Sequence, residues 1–182
     1  MGAVFCLPYM GGLGLRELRS AFAVMDKLGH DSEIKTPDYF IAALHSGEIT
    51  EGFVFGGRSN TATGKLLEMR GQRGILDIGS GWELAIRDPS GNRFAIPDPQ
   101  RSGADSYRDG GDYGLIAHLH FLGRIPVTIV AGLGTMATEG AGRWFAARMT
   151  SLPRDKEWCE VLHFPAPVDP HCWRGVASWT LD

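Results

Sequence analysis

Gly52-Phe53-Val54-Phe55-Gly56-Gly57-Arg58-Ser59-Asn60 is the stretch whose reading decides the fold. Its apolar run is too short for a helix and stops at two glycines, so it reads as a buried strand ending in a tight turn. Thr61 to Met69 follows with Leu66, Leu67 and Met69 turned inward, a helix. The same layout lies upstream. Ala3 to Tyr9 is a short apolar run that stops at Met10-Gly11-Gly12-Leu13-Gly14. Leu15, Leu18, Phe22, Met25 and Leu28 then recur at three and four residues, which predicts a helix buried on that stripe and closed by Gly29. Between the two lies a weaker unit, a strand over Glu33 to Thr36 and a helix capped by Asp38 through Phe40, Ile41 and Leu44. Parallel neighbours need a crossover, and helices are the usual crossover, so three such units predict a mainly parallel sheet.

Downstream of Gly71 the texture changes. Trp82 to Arg87 and Arg93 to Ile96 flank Asp88-Pro89-Ser90-Gly91-Asn92, the signature of a β-hairpin. Pro97 to Gly111 reads as an exposed loop, either a cover over a site or simply a mobile connection. Tyr113 to Leu119 and Ile125 to Val130 are strands around Phe121-Leu122-Gly123. The second ends at Ala131-Gly132-Leu133-Gly134-Thr135, and a helix over Thr138 to Met149 carries Ala141, Trp144, Phe145 and Met149 on one face. Trp158 to Phe164 and Val176 to Leu181 read as two edge strands. The expected architecture is α/β: a Rossmann-like three-layer domain with a mainly parallel sheet and an added antiparallel β-hairpin or meander. One domain spans residues 1–182, with strand–helix units over 1–70, the meander insertion and core strands over 71–130, and a helix with C-terminal edge strands over 131–182.

Composition narrows the function. With 43% hydrophobic and 21% charged residues the chain is an ordinary globular one, not a disordered or fibrous one. A net charge of -3 argues against a nucleic-acid partner, which calls for a dominant cationic surface. No apolar stretch is long enough to span a bilayer and the first residues lack a signal-peptide layout, so no membrane partner is expected and the expected compartment is the cytoplasm. Three cysteines without a CxxC pair fit a reducing compartment.

The carboxyl ends of parallel strands lie along one edge, so the three glycine turns Gly11 to Gly14, Gly56 to Asn60 and Gly132 to Thr138 would line one crevice. Gly12, Gly14, Gly56, Gly57, Gly132 and Gly134 would let backbone N–H groups approach a ligand, and the helices starting there favour an anion. Arg58 would add charge, while Ser59, Asn60, Thr135 and Thr138 would orient oxygens; Asn60 and Thr138 read equally as helix caps. Glu139, beside the last glycine turn, is a candidate carboxylate nucleophile or hydroxyl ligand, or a residue placed for the helix dipole.

Two sharper motifs fail. Gly57 to Lys65 has six residues rather than four between its glycines, and Leu66 stands where a P-loop needs Ser or Thr. Glu17 occupies the third glycine position of a dinucleotide fingerprint. No cofactor is therefore called for. His118 and His120 point to one side of a strand but lack a third ligand, and Cys159, His163, His171 and Cys172 match no zinc spacing, so no metal is expected. Trp173 and Trp179 would be anchors if the tail strands paired with another protein in a homo-oligomer or larger parent.

The run from Phe53 to Asn60, taken with Thr128-Ile129-Val130-Ala131-Gly132-Leu133-Gly134-Thr135-Met136-Ala137-Thr138-Glu139-Gly140-Ala141, resembles a poorly characterised bacterial domain: a strand with GG-x-x-N, then a later strand with AG and a T-x-x-A helix start. Asp112-Tyr113-Gly114-Leu115-Ile116 looks like the same domain. More distantly, the glycine and threonine turn before a helix bearing a Glu is similar to the nucleoside deoxyribosyltransferase-like and SLOG groups, although Glu139 stands four residues after Thr135 where those groups place the acid three after. The resemblance implies a small nucleotide-derived ligand and a sensor role in bacterial signalling or antiviral defence. The alternative it implies is cleavage of an N-glycosidic bond in a nucleoside or NAD-like substrate, with Glu139 as nucleophile or Asp112 as acid/base.

Overall fold

The computed structural model describes residues 3–9, 14–29, 32–72, 75–78, 84–96 and 110–181. In chain order the elements are β1 (Ala3–Cys6), α1 (Leu15–Leu28), β2 (Ser32–Lys35), α2 (Pro37–Ser46), β3 (Gly52–Phe55), α3 (Thr61–Met69), β4 (Leu76–Ile78), β5 (Leu84–Arg87), β6 (Arg93–Ala95), β7 (Asp112–Phe121), β8 (Ile125–Gly132), α4 (Thr135–Arg148), β9 (Glu157–Phe164) and β10 (Arg174–Leu181). Seven strands form one sheet in the order β10-β9-β7-β8-β3-β1-β2, and β4-β5-β6 form a small antiparallel sheet. The block β8-β3-β1-β2 is parallel, while β7, β9 and β10 alternate in direction beyond it. The three-layer α/β fold with an added antiparallel meander is present.

The buried strands are apolar on both sides because both faces are covered. Phe5, Phe53, Phe55, Ile116, Val130 and Phe164 pack with Ala21 and Val24 of α1 and with Trp144 and Phe145 of α4. Val4, Cys6, Val54, Ala117 and Ile129 face the other way, onto Phe40 and Leu44 of α2, Leu66 and Leu67 of α3, and Ile86 of the small sheet. One crossover is unusual. From β1 to β2 the chain moves toward one edge over the α1 face; from β8 to β9 it moves toward the opposite edge over that same face. The two crossovers therefore have opposite hands, in a class of connection that is right-handed in nearly all proteins. The consequence is that α1 and α4 lie side by side, both starting at the carboxyl edge of the parallel strands.

Close packing of that helix pair explains where the α1 stripe departs from expectation. The buried residues of α1 are Glu17, Ser20, Ala21 and Val24, whereas Leu15 and Phe22 are exposed. Small residues face α4 because a side chain at Gly142 would start 1.8 Å from Ser20 Oγ, so Leu-sized groups cannot fit the seam. Other differences are smaller. Met69 is exposed, Thr36 rather than Asp38 holds the N-cap position of α2, and α4 begins at Thr135 rather than Thr138. β9 is an interior strand between β7 and β10, so only β10 of the two tail strands lies at an edge. Trp173 is committed to the fold, edge-on to Trp144 with Arg148 4.4 Å from its ring centroid, and Trp179 packs on the α2/α3 side of the core. Among the described residues no helix is long and apolar enough to cross a membrane.

Candidate functional site

The carboxyl ends of β1, β3 and β8 meet at one rim, since these strands are adjacent and in register: Cys6 lies beside Val54 and Phe55 beside Val130. The chain leaves β1 toward α1 on one face and β3 toward α3 on the other. That divergence makes the β1/β3 gap a topological switch point, the place where open α/β sheets hold ligands.

Asn60 closes the floor of this gap. Its Nδ2 donates to the carbonyls of Cys6 at 3.2 Å and Phe55 at 2.9 Å, tying together the last residues of β1 and β3. Its Oδ1 accepts from the Ala62 N–H at 3.1 Å and so caps α3. Asn60 is buried, and its amide is spent on the fold; the capping role is the one seen. Thr63 Oγ1 donates to the Gly56 carbonyl at 2.6 Å, holding the turn. Gly56 sits at φ 103, a conformation that favours glycine, and the missing side chain of Gly57 leaves room for the Gly132 carbonyl 3.0 Å from where its Cβ would lie.

At the β8 turn the amides already have an anion, supplied by the protein. Asp112, the first residue of β7, is fully buried and accepts from Gly134 N–H at 3.1 Å and Tyr113 N–H at 2.7 Å through Oδ1, and from Ala137 N–H at 3.3 Å through Oδ2. The α4 N-terminus thus behaves as an anion site, as a helix start should, but its occupant is a side chain from β7. Burial pushes the Asp112 carboxyl up to about 7 against the pull of those three amides. A carboxyl in that range has acid–base capacity, yet both of its oxygens are turned inward to backbone donors. Thr138 is buried too, its Oγ1 donating to the Gly134 carbonyl at 3.2 Å and its own carbonyl accepting from Ser20 Oγ at 3.0 Å.

Glu139 sits between α1 and α4. Its side chain is 2% exposed and meets Arg16 at 2.7 Å, Arg143 at 2.9 Å and Arg19 at 3.9 Å. Burial works against its charge, but the hydrogen bonds from Arg143 and Arg16 outweigh it and hold the carboxyl below its ordinary value. Such a carboxylate is a joint between two helices; its attack on a substrate would require it to leave three guanidinium groups.

Arg58, Ser59 and Thr135 are exposed at the rim, and Gly14 caps α1 there. Gly12 and most of the Pro97 to Gly111 segment lie outside the described residues. One rim residue escaped the reading of the sequence as a ligand contact. Glu17 is 3% exposed, folds back over Gly14 so that Oε2 lies 2.5 Å from where a Gly14 Cβ would be, and this Oε2 has no hydrogen-bond partner among the described residues. Its signal in the sequence was the very feature that spoils the dinucleotide fingerprint: a carboxylate where close packing normally demands glycine.

At the opposite edge of the sheet His118 is buried, stacked on Trp158 and joined through Nδ1 to Thr128 Oγ1 at 2.9 Å. Burial pulls the imidazole down to about 4, so it is neutral near pH 7, and Nε2 has no hydrogen-bond partner among the described residues. His120 turns its Nε2 to the Arg154 carbonyl at 3.0 Å instead. Among the described residues no three His, Cys, Asp or Glu side chains gather in a way that could hold a metal.

Compared with known proteins, the chain matches no family model, no curated protein and no solved structure.

Proposed function

We propose that the rim over β1 and β3 binds a small, sugar-bearing, nucleotide-derived ligand, and that the protein acts as a sensor of that ligand in bacterial signalling or defence. One observation supports the reading: the carboxyl ends of the parallel strands β1, β3 and β8 lie side by side at the switch point of the sheet, and Gly56 and Gly57 follow β3 there. The charges there sort the ligand's ends. Arg58 and Ser59 stand exposed on the β3 turn and suit a phosphate or carboxylate. Glu17, with a buried acceptor that lacks a donor among the described residues, suits a hydroxyl on the α1 side. A binding role fits better than cleavage of a glycosidic bond, because Glu139 is engaged by arginines and Asp112 by backbone amides.

The test is a thermal-shift and calorimetry panel of mononucleotides, dinucleotides, cyclic nucleotides and NAD. A ribose-bearing anion should raise Tm in a saturable way, with the effect lost in Arg58→Glu and weakened in Glu17→Gln. A flat response across the panel overturns the proposal, and release of free base that disappears in Glu139→Gln would establish the enzymatic alternative.

A further inference from the structure

The α1 helix carries two apolar faces, and the structure buries only one fully: on the second, Leu18 and Met25 pack against the border of the core while Leu15 and Phe22 stand out from it. Ser20, Ala21 and Val24 are buried, and Ser20 lies against Gly142 of α4. The larger residues Leu15, Leu18, Phe22 and Met25 are spaced three, four and three, the seam spacing of a coiled coil. Leu15 is 63% and Phe22 53% exposed, while Leu18 and Met25 are half-buried along the same side. Isolated exposed apolar residues are ordinary; two large ones continued by two half-buried neighbours into one seam along a helix of 14 residues are not.

We propose that this face is an interface between two copies of the chain, with α1 packed antiparallel on α1 of the second copy about a two-fold axis. The choice of occupant rests on charge. Arg19 and Asp26 each directly follow a seam residue, Leu18 and Met25, and so flank the seam on one side. Asp26 is exposed and makes no ion pair among the described residues. Arg19 is half exposed, and its 3.9 Å contact with Glu139 is the longest of the three that Glu139 makes with arginines. Antiparallel pairing sets Leu15 against Met25 of the second copy and Leu18 against its Phe22. Side chains lean toward the N-terminus of their own helix, so Arg19 of one copy and Asp26 of the other converge, and the two-fold axis makes the pair twice. A parallel arrangement would set these charges opposite Gly14 and Ala21 instead and leave them unpaired. The surface is therefore self-complementary in one orientation, as an isologous interface must be.

Sedimentation velocity on the full chain from about 1 μM to about 1 mM tests this, a range suited to an interface of one short helix per copy. A monomer–dimer equilibrium should appear. Phe22→Glu should weaken it at least about tenfold with Tm unchanged, because Phe22 is exposed. Asp26→Arg should weaken it similarly, and Arg19→Asp combined with Asp26→Arg should restore it. A monomer throughout that range, a dimer indifferent to Phe22→Glu, or a charge-reversed double variant that stays monomeric would each overturn the proposal.

Discussion

The carboxylate of Asp112 accepts the backbone N–H of Gly134 at 3.1 Å, so the first residue of β7 occupies the anion position at the start of α4. This contact crosses from an antiparallel strand to the helix that leaves its neighbour. It gives the fold a charge-sensitive joint at the rim.

Two buried groups oppose each other in their response to pH. Asp112 is raised by burial from 3.8 to about 7, so between those values the folded state keeps a proton that the unfolded chain has lost, and stability falls as pH rises through the window. His118 is lowered by burial from 6.5 to about 4, so below 6.5 the unfolded chain takes up a proton that the folded state refuses, and stability falls as pH drops. Between about 4 and 6.5 the two slopes cancel. Denaturant titrations at stepped pH should show that Asp112→Asn shifts the slope there toward stability rising with pH, by about 1.4 kcal/mol per pH unit relative to the parent, and that His118→Gln shifts it by a similar amount the other way. Equal slopes in parent and variants would contradict the assignment.

Asn60→Ala should be among the most damaging single changes at the rim. It removes the α3 cap and strips the donor from the buried carbonyls of Cys6 and Phe55. A loss of about 2 to 4 kcal/mol in urea denaturation is expected from one cap and the unpaired acceptors. Asn60→Asp keeps the cap but loses the amide donor, and should recover only part of it.

Gly142→Ala should destabilise the α1/α4 seam by about 1 to 3 kcal/mol despite the better helix propensity of alanine, because the new methyl would fall 1.8 Å from Ser20 Oγ and 2.9 Å from Ser20 Cα. Pairing it with Ser20→Gly should recover part of the loss in Tm, since that removes the side chain but not the backbone atom.

The arginine cluster should respond asymmetrically. Glu139→Gln leaves Arg16 and Arg143, which are 35% and 39% exposed, free to rehydrate. Replacing both arginines by alanine strands a carboxylate whose side chain is 2% exposed, a larger penalty of roughly 3 kcal/mol or more. Chemical denaturation of the two variants should rank them in that order; the reverse ranking would show that Glu139 is not held chiefly by these ion pairs.

The repeated strand, glycine turn and helix were legible because a short apolar run, a glycine break and a three-to-four spacing are local features. Phe53 to Asn60 declared its strand and turn, and Ile125 to Thr135 declared the same again. The parallel block and the shared rim followed from them through the geometry of crossovers. Which face of α1 is buried did not follow. Leu15, Leu18, Phe22 and Met25 make the louder pattern, but burial was settled by the approach of α4, where Gly142 admits Ser20 and excludes anything larger. Nor could the sequence tell that Asp112 reaches Gly134 and Ala137, or that Arg16 reaches Glu139, partners 22, 25 and 123 residues apart. Composition and periodicity act over a turn or two of chain and fix the kinds of element. The pairing of distant charges depends on where whole elements come to lie, and here the β8 to β9 crossover, by setting α4 beside α1, decided it.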